Sequence, residues 1–139
     1  MAAGFPHEVF LSHSSLDGQF ATDLSTVLRR HRIPVWYSQT NIVGAQQWQD
    51  EIGAALQRCD WFAVILSPHS VESMWVKREL SYALQQNRFE NQIVPILYQP
   101  SPFERLSWAL SLFQIVDFTG SFDDACRDLL RIWGIGYQP

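Results

Sequence analysis

Short apolar runs alternate along this chain with longer segments whose apolar residues recur every three or four positions. The first kind of pattern predicts buried strands and the second amphipathic helices. Glu8 to Ser12 reads as a first strand, and Phe20, Leu24, Val27 and Leu28 then recur at helical spacing behind the capping residues Ser14 and Ser15. Ile33 to Tyr37 is a second short strand. A polar stretch from Ser38 to Gln47 precedes a helix whose apolar face is Trp48, Ile52, Ala55, Leu56 and Cys59. Trp61 to Leu66 is the longest unbroken apolar run, and so the expected central strand. It closes with Ser67-Pro68-His69-Ser70, and a helix is expected from about Ser73 to Gln86. Ile93 to Leu97 and Phe113 to Phe118 are the fourth and fifth strands, and the last helix runs from Phe122 to about Trp133.

Five strands alternating with helices predict a doubly wound parallel sheet with helices on both faces. A flavodoxin-like strand order, 2-1-3-4-5, makes the second strand an edge. Pro34 belongs there because it cannot donate to a ladder. Pro95 is the awkward residue if the fourth strand is paired on both sides. In that order the winding reverses between strands 1 and 3. Ser12-His13-Ser14 and Ser67-Pro68-His69 should then line the ligand crevice at the strands' carboxyl ends.

The 139 residues leave room for one core and hence one domain, 1–139. At 47% hydrophobic the chain is too apolar for disorder. Its 17% charged residues are few for a free monomer, which suggests a partner or a longer parent protein. A net charge of −4 argues against nucleic acid and anionic membranes as direct partners. No apolar run is long enough for a membrane helix, and the first residues lack the pattern of a signal peptide, so a cytoplasmic protein is expected. Cys59 and Cys126 fall on apolar helix stripes and read as buried free thiols. The four histidines and two cysteines show no metal-ligand spacing.

Several segments together resemble the TIR (Toll/interleukin-1 receptor-like) family. Val9-Phe-Leu-Ser-His-Ser-Ser15 with Asp17 looks like its opening motif. Ile33-Pro-Val-Trp36, Ile42-Val-Gly44 and Trp48-Gln-Asp-Glu-Ile52 are similar to its second strand, the long BB loop and the next helix. Cys59 to Ser67 resembles the third strand ending in serine. Ser73 to Leu80 is similar to the Trp-x-x-x-Glu helix of enzymatic members, and Val94-Pro-Ile-Leu97 matches the fourth strand, where the family tolerates proline. The resemblance covers about residues 7–133 and is closest in style to bacterial NAD-cleaving TIR effector domains, often the N-terminal module of a longer protein.

That resemblance implies an enzyme that cleaves the nicotinamide–ribose bond of NAD+, releasing nicotinamide and ADP-ribose or a cyclic ADP-ribose. NAD+ is then a substrate, and no cofactor is expected. Activation would come through self-association with other TIR domains, in bacterial defence signalling. Glu79 is the expected catalytic carboxylate. On a helical wheel it sits four residues after Trp75, beside the buried stripe of Val76, Leu80, Ala83 and Leu84. Periodicity alone leaves open a solvated Glu79 and a packing Trp75. Ser12, His13, Ser14, Trp36, Ser67 and Trp75 are the expected substrate contacts, with a capping role open for Ser14 and a strand-end role for Ser67. Asn41, Val43 and Gly44 would form a self-association loop. The alternative is a TIR scaffold that only binds other TIR domains and has no need of a carboxylate facing the crevice. Other enzymes on related folds are disfavoured: there is no Gly-x-Gly-x-x-Gly, no phosphate loop, no Gly-x-Ser-x-Gly turn, and no aspartate cluster after the first strand.

Overall fold

The structure, a computed structural model, describes residues 4–37 and 45–139, with side chains from 49 onward in the second stretch. Five parallel strands, β1 (Val9–Ser12), β2 (Val35–Tyr37), β3 (Trp61–Leu66), β4 (Ile93–Leu97) and β5 (Val116–Asp117), form one sheet. Their order is β2-β1-β3-β4-β5, the flavodoxin-like arrangement the strand pattern predicts. The helices are α1 (Gly18–Arg30), α2 (Ala45–Arg58), α3 (Pro68–Val71), α4 (Met74–Leu84) and α5 (Phe122–Ile132).

Alternation along each strand sends neighbouring side chains to opposite faces. Val9, Leu11, Ala63, Ile65, Val94 and Ile96 join α1 and α5 in one core. Phe10, Phe62, Val64 and Leu66 join α2 and α4 in the other. In the first core the Phe20 ring stacks on Tyr98 at 4.1 Å and meets Phe118 and Phe122 edge-on. In the second, Phe10 lies between Trp36 and Phe62.

Both prolines fit for a stated reason. Pro34 stands just before the edge strand β2, and its carbonyl accepts from Val9 N–H. Just past β4, Tyr98 N–H donates to the Leu66 carbonyl on the β3 side. Alternate residues of a strand point their N–H groups the same way, so position 95 faces the β5 side. Pairing with β5 begins only at Ile96, so the missing N–H of Pro95 breaks no ladder bond.

The last strand is shorter than its apolar run suggests. Phe113 ends a 3-10 turn over Trp108–Leu112, and only Val116 and Asp117 pair with β4. The short helix α3 follows from Ser67, whose Oγ accepts from Ser70 N–H while Ser70 Oγ accepts from Ser67 N–H. That reciprocal box, with Pro68 at the first helical position, starts a helix of a single turn. Cys59 and Cys126 are free and buried in opposite cores.

Candidate functional site

Ser73 caps α4 by accepting from Val76 N–H, and the helix packs across β1 and β3 through Val76, Leu80 and Ala83. Glu79 is on this packed side. It is only 7% exposed, so it is neither solvated nor at the helix boundary where the wheel puts it. Ser12 ends β1 and, two residues after Phe10, points to the same side of the sheet. Its hydroxyl donates to Glu79 Oε1 at 2.6 Å. The two residues lie 67 positions apart in the chain, and the fold makes them partners.

Burial governs the electrostatics here. Removing the Glu79 carboxylate from water pushes its pKa up from 4.5 to about 7, against a smaller downward pull from the Ser12 hydrogen bond. The carboxyl therefore changes charge in the neutral range. His13, directly after Ser12, moves the other way. Burial lowers its pKa, opposed by the Leu11 carbonyl and the Asp17 charge, so the ring is neutral at physiological pH.

The expected site residues divide between the two sides of the strand ends. Ser12, Glu79, Trp36 and Trp75 lie on the α2–α4 side, where Trp36 stacks on Phe10 at 5.0 Å and Trp75 packs partly buried against the core. The Arg78 guanidinium stands 5.4 Å from the centre of the Trp75 ring. On the α1 side, the His13 ring packs against Tyr37 at 5.8 Å, and its Nδ1 lies 3.5 Å from the Leu11 carbonyl oxygen. Ser14 is buried, and its Oγ accepts from Leu16 N–H at the head of a 3-10 turn, the capping role left open for it. Ser67 is wholly buried, and its Oγ donates to Asp17 Oδ2 at 2.5 Å. Asn41, Val43 and Gly44 lie outside the described residues, as does the side chain of Trp48.

Asp17 is the residue that sequence reasoning undervalued. Standing immediately before α1, it has the position of a helix cap, yet it makes no cap bond and is only 4% exposed. Its carboxylate turns inward to Ser67, linking the turns after β1 and β3. A local pattern offers no sign of this, because an aspartate before a helix is ordinarily a cap. Among the described residues no group of three or more His, Cys, Asp or Glu could hold a metal ion. Among them, too, no helix is long and apolar enough to cross a membrane.

Comparison with known proteins agrees with this architecture. The family model described as TIR domain matches residues 9–130. A 2′ cyclic ADP-D-ribose synthase of Bacteroides thetaiotaomicron, BtTIR, is 26% identical over 108 residues, which cover 76% of this chain and 38% of that protein. The chain thus spans well under half the length of this curated relative. Among solved structures, the TIR domain of the Toll-related receptor TRR-2 from Hydra magnipapillata superposes with a TM-score of 0.72 at 20% identity, covering 88% of this chain and 94% of that one. The TIR domains of the activated Roq1 resistosome give 0.69 at 18% identity, over 90% and 98%. A prokaryotic SEFIR domain gives 0.58 at 16% identity, over 95% and 96%. These structural likenesses bear on the fold.

Proposed function

The chain belongs to the TIR domain family, and from that premise we propose that it is an NAD+ nucleosidase whose catalytic carboxylate is Glu79. The observation that carries the reading is an acidic side chain of α4, buried to 7% exposure beside the strand ends on the α2–α4 side. A merely structural surface helix has no reason to turn a glutamate inward, since desolvating a carboxylate is costly. Its bacterial relative is a synthase of a cyclic ADP-ribose, which adds weak support from similarity.

The chemistry suits a single carboxylate. A glycosidase ordinarily needs a second acid to protonate the departing oxygen. In NAD+ the bond between ribose C1 and the pyridinium nitrogen breaks with its electron pair going to nitrogen, and nicotinamide leaves neutral. No proton is needed at that step. Positive charge builds on C1 and the ring oxygen, and a fixed carboxylate in a water-poor site stabilises it. Water captures C1 to give ADP-ribose, or a nucleophile elsewhere in the same nucleotide captures it to give a cyclic product. Trp75, one helical turn before Glu79, would cover the ribose. Trp36 is the candidate stacking surface for a base, and His13, Ser14 and Ser67 are candidate polar contacts on the other side of the strand ends.

Self-association is part of the proposal. TIR domains of a structural relative form part of an activated resistosome, and the segment carrying Asn41, Val43 and Gly44 is the candidate contact to a neighbouring subunit. A role in bacterial defence signalling and a cytoplasmic setting would follow from the same reading.

The test is nicotinamide release from NAD+ by concentrated protein, with and without a crowding agent, beside Glu79→Ala. Losing a group that stabilises transition-state charge costs about 100-fold or more in rate. Release that vanishes in the variant supports the enzyme, and the accompanying nucleotide separates hydrolase from cyclase. Equal background rates from visibly assembled protein would leave a TIR scaffold in its place.

A further inference from the structure

Resting on the reading of Glu79 as the reacting carboxylate, we infer that Ser12 is a positioning residue: it pins Glu79 to the carboxyl end of β1. The resemblance makes Ser12 a substrate contact, but the geometry gives its hydroxyl another task. Ser12 is 1% exposed and has one hydroxyl proton, which it donates to Glu79 Oε1 at 2.6 Å.

The anchor is well chosen mechanically. β1 is paired on both sides, with Leu11 opposite Tyr37 and Ser12 opposite Val64, so the serine sits on backbone that is held in place. Glu79 projects from α4 on a side chain with three rotatable bonds. A donor fixed on the strand selects one of its conformers, and a reacting group must be held to within about half an ångström to be effective. Placing a hydroxyl against a buried carboxylate also favours the charged form, since it replaces one of the water hydrogen bonds lost on burial.

Among the described residues no other charge is shown acting on Glu79. The described elements packed most closely on α4 are β1, β3 and α3. The two strands carry no titratable side chain, His69 of α3 is exposed, and Lys77 and Arg78 of α4 itself point to solvent. His13, next after β1, is kept neutral by burial. Among the described residues, burial and the Ser12 hydrogen bond are the two influences on Glu79, and the second can be deleted by one substitution.

The experiment follows the Glu79 carboxyl by carbon NMR in glutamate-labelled protein, from about pH 5 to 9, with the signal assigned by its loss in Glu79→Gln. Ser12→Ala should raise the midpoint by roughly one unit or more, the size of a charge-assisted hydrogen bond, and Ser12→Thr should restore it. Ser12→Cys keeps the shape with only a weak donor, and it gives the same direction of shift should the alanine variant not fold. In the nicotinamide assay, Ser12→Ala should lose about fivefold at pH 7 and recover as pH rises, because the ionised fraction alone has fallen. A midpoint that does not move overturns the inference. So does an equal loss of rate at every pH with the midpoint unmoved, which would return Ser12 to the substrate. If no variant cleaves NAD+, the proposed activity fails, and the NMR titration still decides whether Ser12 governs Glu79.

Discussion

Ser67 Oγ and Asp17 Oδ2 meet at 2.5 Å, joining the turn after β3 to the turn after β1 at the point where the winding of the sheet reverses. Both side chains are buried, and Ser67 serves two partners at once: it donates to Asp17 and accepts from Ser70 N–H to start α3. One hydroxyl therefore links the turns after β1 and β3 and starts α3.

Ser67→Ala removes the helix cap and leaves a buried carboxylate short of a donor. The combined loss should be about 2–4 kcal/mol in urea denaturation. Asp17→Asn keeps an acceptor at the same place and should cost less, about 1–2 kcal/mol. A Ser67→Ala cost of a few tenths would mean that the turns are held by something other than this pair.

Glu79→Gln should lower activity by about 100-fold and at the same time stabilise the fold. The pKa of Glu79 lies near 7 in the folded protein, against 4.5 when exposed. Between those values the folded state holds a proton that the unfolded state has released, so stability falls as pH rises through that window and levels off above it. Glutamine carries no such penalty. Its advantage should grow from pH 5 to pH 8 and reach about 2–3 kcal/mol, several degrees in Tm. Thermal melts of both proteins at the two pH values read this directly, and identical pH dependence would contradict a buried, titrating Glu79.

The rate of nicotinamide release should rise with pH and reach half its plateau near 7, because only ionised Glu79 can stabilise the forming cation. His13 is already neutral in that range, so His13→Gln should change the plateau without moving the midpoint. A midpoint that follows the histidine substitution would assign the titration to the wrong residue.

Both thiols should resist a disulfide exchange reagent in the native protein. Burial pushes Cys59 and Cys126 up to about 12, so almost no thiolate exists at neutral pH, and neither sulfur is exposed. Two equivalents should react promptly after denaturation and almost none before. Fast labelling of either residue under native conditions would indicate local opening of α2 or α5.

Local pattern carried much of this protein. Apolar runs marked the strands. A proline beside Val35 marked the edge, and the spacing of Trp75 and Glu79 marked the helix that bears the candidate carboxylate. These features are legible because periodicity and backbone chemistry act over a few residues. The pairings Ser12–Glu79 and Asp17–Ser67 are separated by 67 and 50 residues, and only the folded sheet brings them together. The same holds for the burial of Glu79. A helical wheel gives the direction of a side chain but not what covers it, and here two strands do. The length of β5 was decided late as well, since only Val116 and Asp117 pair with β4. Sequence thus determined which main elements form and which apolar residues face inward. Tertiary packing decided which polar groups meet, because a hydrogen bond between distant residues depends on the relative placement of whole elements, and no local pattern encodes that.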